Sequence, residues 1–180
     1  HDGGTVVALE GKAPADVRAA GRIPATVPGT VHTDLLAAGL IEDPYLDDNE
    51  RLLAWIGSTS WRYSMSVEWR SDGFDQTDLV FDGLDTFAVV RLNGREILSS
   101  SNQHRSFRVP VRELLVEGSN ALVIDFEAPI PAADRASEQL GARPHANHHP
   151  FNAVRKMASS FGWDWGIDTS TSGIWRAVRL

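Results

Sequence analysis

The densest chemical signal in the chain is the run Phe161-Gly162-Trp163-Asp164-Trp165-Gly166. Two indoles bracket one carboxylate, with glycines close by on either side. Indole faces stack on the C–H faces of a pyranose, and a carboxylate accepts hydrogen bonds from hydroxyls, so the pattern suits a sugar. The glycines let a backbone come close to a ligand. A second reading of the same residues stays open. Tryptophan is more often packing than platform, in which case Trp163 and Trp165 are core aromatics and Asp164 is a loop carboxylate satisfied by nearby N–H groups.

Other constellations carry less. His145, His148 and His149 lie between Pro144 and Pro150. They lack the regular helix or strand spacing that zinc ligands normally keep, so a polar loop with exposed imidazoles and no metal is expected. Asp47-Asp48-Asn49-Glu50 offers oxygen ligands but lacks the glycine and alternate spacing of a calcium loop, which leaves capping or turn formation. Asp82 and Asp85, in Phe81-Asp82-Gly83-Leu84-Asp85-Thr86, flank a hairpin entry and read as turn formers. The chain has no Gly-x-Ser-x-Gly elbow, no phosphate-cradling glycine loop and no His-Glu-x-x-His pair. No complete active site is marked, and no cofactor is implied.

The elements that must position these residues are mostly strands. From Trp61 to Trp69 the apolar residues Trp61, Tyr63, Met65, Val67 and Trp69 alternate with Arg62, Ser64, Ser66 and Glu68, which is the period of a half-buried strand. Leu79 to Phe81 and Phe87 to Leu92 read as two more. The second runs into Asn93-Gly94, a dipeptide suited to positive φ that closes a tight hairpin into Glu96-Ile97-Leu98. Phe107, Val109 and Val111 alternate again, and Pro110, lacking a donor, sends that strand to a sheet edge. Ala121 to Phe126 and Ile174 to Leu180 complete the set. Many short strands separated by turn signals predict an antiparallel all-β sandwich. One short amphipathic helix is expected over it, capped by Thr30, running through Val31, Leu35 and Leu36, and ended by Gly39. The stretch 128–152, with four prolines and little periodicity, reads as a long surface excursion and a place to look for function.

Composition narrows the classes. At 180 residues, 42% of them hydrophobic, the chain fits a single domain, 1–180, with a sizeable core. Its net charge of −7, with basic residues scattered singly or in pairs, argues against nucleic acid. The absence of cysteine excludes disulfides and thiolate sites but leaves the compartment open. No stretch is apolar for the ~18 residues a spanning helix needs, so no membrane partner is expected. The opening His1-Asp2-Gly3-Gly4 does not look like a signal peptide, as a chain beginning inside a longer polypeptide also would not.

Several strings together resemble β-mannosidases of glycoside hydrolase family two. They are Val27-Pro28-Gly29-Thr30-Val31-His32, Gly39-Leu40-Ile41-Glu42-Asp43-Pro44-Tyr45, Asp48-Asn49-Glu50, Trp55-Ile56-Gly57, Trp61-Arg62-Tyr63, Phe81 to Thr86, Leu92-Asn93-Gly94, Arg155-Lys156 with Phe161 to Gly166, and Gly173-Ile174-Trp175-Arg176. They occur in the family's order along nearly the whole chain. The resemblance implies a jelly-roll β-sandwich, galactose-binding-domain-like, standing before immunoglobulin-like domains and a barrel that carries two catalytic glutamates. It implies that the 180 residues alone hydrolyse nothing. It also gives Asp164 the role of holding the terminal sugar, a mannoside or a related one, through its hydroxyls. Trp163 and Trp165 would shape the loop, and Arg155 and Lys156 would lie beside it as charge partners. The sequence departs from the family at Ile167, where proline is usual, and at Asn102-Gln103-His104, where an aromatic run is common. An autonomous carbohydrate-binding module and a purely structural domain are the two other readings.

Overall fold

The computed structural model of the protein describes residues 2–71, 73–141 and 143–180. The chain runs β1 (Asp2–Gly11), α1 (Ala15–Ala20), β2 (Ile23–Thr26), α2 (Val31–Ala37), α3 (Asn49–Leu52), β3 (Thr59–Trp69), β4 (Asp78–Phe81), β5 (Phe87–Leu92), β6 (Arg95–Ser101), β7 (Phe107–Pro110), β8 (Gly118–Phe126), α4 (Pro129–Leu140) and β9 (Val178–Arg179). Six strands pair in the order β2-β1-β3-β8-β5-β6, and three in the order β7-β4-β9. Every pairing is antiparallel.

The period-two strand behaves as its pattern requires. Trp61, Tyr63 and Trp69 of β3 are buried, and Met65 and Val67 pack partly buried against them. On the opposite face Arg62 donates to Asp125 of β8 through Nε (2.5 Å) and Nη2 (2.8 Å), and Arg91 of β5 adds a third bond at 2.8 Å. These arginines hold the Asp125 carboxyl below its ordinary range. One apolar cluster takes in Val90, Leu92, Leu122, Ile124 and Phe126 from the large sheet and Leu79 and Phe81 from the small one, so the two sheets form a sandwich around a shared core.

Asn93 (φ 50°) and Gly94 (φ 81°) make the β5–β6 turn with both central residues left-handed, the hairpin that their types demand. Pro110 lies in β7, an edge strand, and Pro24 lies in β2, another edge. The remaining edge of the large sheet, β6, opens with exposed Arg95 and Glu96. Helix α2 begins at Thr30 with a reciprocal cap: the Thr33 N–H donates to Thr30 Oγ1 and the Thr30 N–H to Thr33 Oγ1. Gly39 (φ 67°) follows its end.

Three differences from the sequence reading stand out. Strands β1 and β2 and helix α1 had no clear period, yet β1 pairs with β3 inside the large sheet. The stretch read as an irregular excursion from residue 128 begins as the 12-residue helix α4. Its prolines, Pro129 and Pro131, occupy the first turn, where backbone N–H groups have no intrahelical acceptor, and there they start a helix rather than break one. The terminal strand is short: Ile174 enters the core without pairing as a strand, and only Val178–Arg179 does pair.

Candidate functional site

Helix α4 matters because of what rests on it. Ile130 and Ala133 form a small second core with Phe161, which is 2% exposed, and Phe151 and Val154 pack around them. Phe161 thereby anchors the start of the Trp-Asp-Trp segment. Asn147 Nδ2 donates to the carbonyls of Phe161 (2.7 Å) and Gly162 (2.5 Å), and Ser170 Oγ donates to the Ser160 carbonyl at 3.0 Å. Gly162 has φ +73°, which favours glycine, and a Cβ there would lie a tight 3.0 Å from Cβ of Asp168.

Beyond this base the chain turns back on itself within two residues. The Trp163 N–H donates to the Gly166 carbonyl (3.0 Å) and the Gly166 N–H to the Trp163 carbonyl (3.1 Å), which puts Asp164 and Trp165 at the tip. The two indoles meet edge to face with centroids 5.6 Å apart. Trp163 is 49% and Trp165 84% exposed, so neither is a core aromatic. Asp164 is exposed, and its carboxylate has no hydrogen-bond or ion-pair partner among the described residues. A groove of about 210 Å³ runs beside the tip, lined by Glu50, Asn147, His148, Trp163, Asp164 and Asp168, among others. Burial raises the Asp168 carboxyl above its ordinary range, with Glu50 adding to the effect and His149 and His148 opposing it.

Arg155 and Lys156 are not brought to this tip. Arg155 is exposed and does not line the groove; its carbonyl accepts from the Gln103 N–H at 2.9 Å. Lys156 points into the protein, its side chain 0% exposed and that of its partner Asp85 1%. Its Nζ donates to Asp85 Oδ1 (2.5 Å), the Thr171 carbonyl (2.8 Å) and Thr171 Oγ1 (3.2 Å). Thr171 Oγ1 donates in turn to Asp85 Oδ2 at 2.6 Å, and Thr86 Oγ1 donates to Asp85 Oδ1. Burial pulls the Lys156 pKa down while Asp85 supports the charge. Asp85, read from sequence as a turn former, is thus the acceptor of a buried ion pair. Asp82 keeps a surface role and accepts from Arg179 at 2.7 Å.

His32 of α2 lies near this pair. It is 8% exposed and its Nδ1 has no partner among the described residues. Burial holds its pKa down at about 4, with the Lys156 ammonium adding to the effect and Asp85 opposing it. Among the other candidates, His145 Nδ1 contacts the Asn147 carbonyl (2.7 Å) and His149 Nδ1 lies 3.4 Å from Asp134. No three His, Asp or Glu residues among those described are grouped to hold a metal ion. Asp48 precedes α3 without a side-chain capping bond and pairs with Arg51 at 3.3 Å, and Asn49 starts the helix, its Nδ2 donating to the Asp43 carbonyl. Asn147 and Asp168 are groove residues that sequence reasoning did not name as candidates, and Glu50 is one it read as capping or turn formation. Glu50 is the last residue of the noticed acidic run, Asn147 sits between the flagged histidines of the 128–152 stretch, and Asp168 follows Ile167, where the sequence departs from the family.

The fold is thus an antiparallel β-sandwich that carries two exposed indoles and, among the described residues, an unpartnered carboxylate on a braced turn. The profile of the "Glycosyl hydrolase 2 galactose-binding domain-like" family matches residues 10–176. Beta-mannosidase B of Emericella nidulans is 41% identical over 167 residues, which cover 86% of this chain and 19% of that protein. Beta-mannosidase of Bos taurus is 35% identical over 170 residues, covering 88% of this chain and 19% of that one. The crystal structure of the β-D-mannosidase from Dictyoglomus thermophilum superposes with a TM-score of 0.82 and 32% identity, over 97% of this chain and 21% of that chain. The chain belongs to the glycosyl hydrolase 2 galactose-binding-like family and corresponds to the N-terminal domain of β-mannosidases. It spans about a fifth of the length of the curated relatives it matches.

Proposed function

We propose that this domain supplies one wall of the sugar pocket of a β-mannosidase-like exo-glycosidase. Asp164 accepts hydrogen bonds from hydroxyls of the terminal sugar, and Trp163 and Trp165 shape the approach to it. The bond-breaking groups belong to the rest of such a protein, and these 180 residues alone hydrolyse nothing. One observation carries the reading: the Asp164 carboxylate stands exposed at the tip of a turn braced from below, with none of its acceptor capacity used within the described residues. A carboxylate kept for structure would be spent on donors of the fold, as Asp85 is on Lys156, Thr171 and Thr86.

The test is Asp164→Ala in a full-length protein bearing this domain. Loss of a hydroxyl contact that strengthens in the transition state lowers kcat/KM by about 2 to 4 kcal/mol. Unchanged kinetics would leave a purely structural domain. The isolated chain should show no turnover of a chromogenic β-mannoside. It should bind mannose more weakly than about millimolar, because a single wall covers little of a sugar. Tight binding of manno-oligosaccharides by the isolated chain would instead favour an autonomous module.

A further inference from the structure

We infer that Lys156 is a positioning residue of this site, its ammonium locking both stems of the loop that carries Trp163, Asp164 and Trp165 onto the corner between β4 and β5. The inference deepens the sugar-wall reading and rests on it for its functional consequence. The loop, 157–170, has no strand to fix it to either sheet. Lys156 ends one stem and Thr171 begins the other. Nζ donates to the carbonyl and hydroxyl of Thr171, which closes the stems on each other, and to Asp85, which ties the closed stems to the sandwich. Thr171 Oγ1 binds the second oxygen of the same carboxylate. Asp85 also exchanges backbone bonds with Gly173, N–H to carbonyl at 2.9 and 3.0 Å, so the outgoing stem is held twice.

A buried ion pair contributes little net stability compared with well-packed apolar groups of the same volume, because desolvation offsets the attraction. What it supplies is direction: a single ammonium with three donors fixes three acceptors in one arrangement. The neutral contacts of the loop, Met157 N–H to Gln103 Oε1 (2.7 Å), Ser170 to Ser160, Asn147 to the Phe161 and Gly162 carbonyls, and the packing of Phe161 on α4, hold its middle without joining both stems to the corner.

The experiment compares the 180-residue chain with Asp85→Asn/Lys156→Met, which replaces the pair by neutral groups of similar size, and with Thr171→Val, which removes only the bridging hydroxyl. Amide exchange is followed across 157–171 and across β3 and β8. Circular dichroism reads the coupling of the edge-to-face indoles, with Trp163→Phe as its blank. The double variant should exchange about tenfold faster in the loop while β3 and β8 change less than roughly twofold. The indole signal should disappear. Thr171→Val should shift the same amides in the same direction by less. A uniform change across loop and sheets, or a loop indistinguishable from the parent chain, would overturn the inference. Should the double variant not fold, Thr171→Val decides alone, a loop unchanged in it counting against. Neither readout contains sugar, so failure here leaves the role of Asp164 standing. A normal loop in Asp164→Ala with unchanged kinetics would remove that role and leave the positioning result intact.

Discussion

Two aspartates divide this molecule into a part that is finished and a part that is waiting. At the β4–β5 corner, Asp85 is buried and accepts from Lys156, Thr171 and Thr86, so every lone pair that faces a donor is used. At the tip of the Trp163–Gly166 turn, Asp164 is exposed and accepts nothing from the described residues. Both stand beside glycines and aromatics in sequence. The difference lies in what surrounds them in space: one is enclosed by chain that arrives from 71 residues away, the other is held up by its neighbours and left open. In the proposed role, the open acceptors of Asp164 are what a sugar hydroxyl would meet.

Four measurements would break or sharpen that contrast. The largest effect belongs to Asp85→Ala, which strands the Lys156 ammonium inside the protein and should cost about 3 to 5 kcal/mol in chemical denaturation. A loss below about 1 kcal/mol would mean that water reaches the corner. Second is acid titration. His32 takes up its proton at about 4 when folded and near 6.5 when unfolded. Between those values the unfolded chain binds the extra proton, so stability is full above pH 6.5 and declines as pH falls to 4, by up to about 3 kcal/mol. Asp34 and Asp168, raised by burial, act with the opposite sign, losing stability as pH rises through their folded values. His32→Phe should flatten the decline, and an unaltered pH profile in that variant would dismiss His32 as its source.

Third, Asn147→Ala removes both donors to the base of the turn and should cost about 1 kcal/mol, with amide exchange quickening around Phe161 and Gly162 before any sheet amide. Smallest is Asp164→Ala, which should leave thermal stability within about 0.5 kcal/mol of the parent chain. A large destabilisation there would place Asp164 with Asp85 as a structural group and erase the contrast.

Local chemistry made much of the sandwich readable. The alternation of β3, the Asn93-Gly94 hairpin, the edge position of Pro110 and the Thr30 cap each follow from a residue's own conformational preference or from period two, and each is present. What escaped depends on partners distant in the chain. Asp85 looked like a turn residue because Gly83 and Thr86 are near in sequence and Lys156 is not. Lys156 was grouped with the turn for the complementary reason. Strand β1 lacks strict alternation because its place between β2 and β3 is fixed by pairing more than by one buried face. Helix α4 was hidden by prolines that mark its start. For Trp163 and Trp165, composition favours packing and the motif favours exposure, and it is Phe161, two residues before Trp163, that takes the buried place while both indoles stay exposed.

The rims of the two sheets bear on how copies of the domain behave toward one another. An unpaired strand offers a row of N–H and C=O groups to any chain that can lie beside it, and a second molecule is the nearest candidate. Here β2 and β7 each interrupt that row with a proline, and β6 begins with two opposite charges. None presents a long, flat, apolar template. Concentrated solutions of the domain should therefore stay free of dimers and fibrils built on β2, β6 or β7.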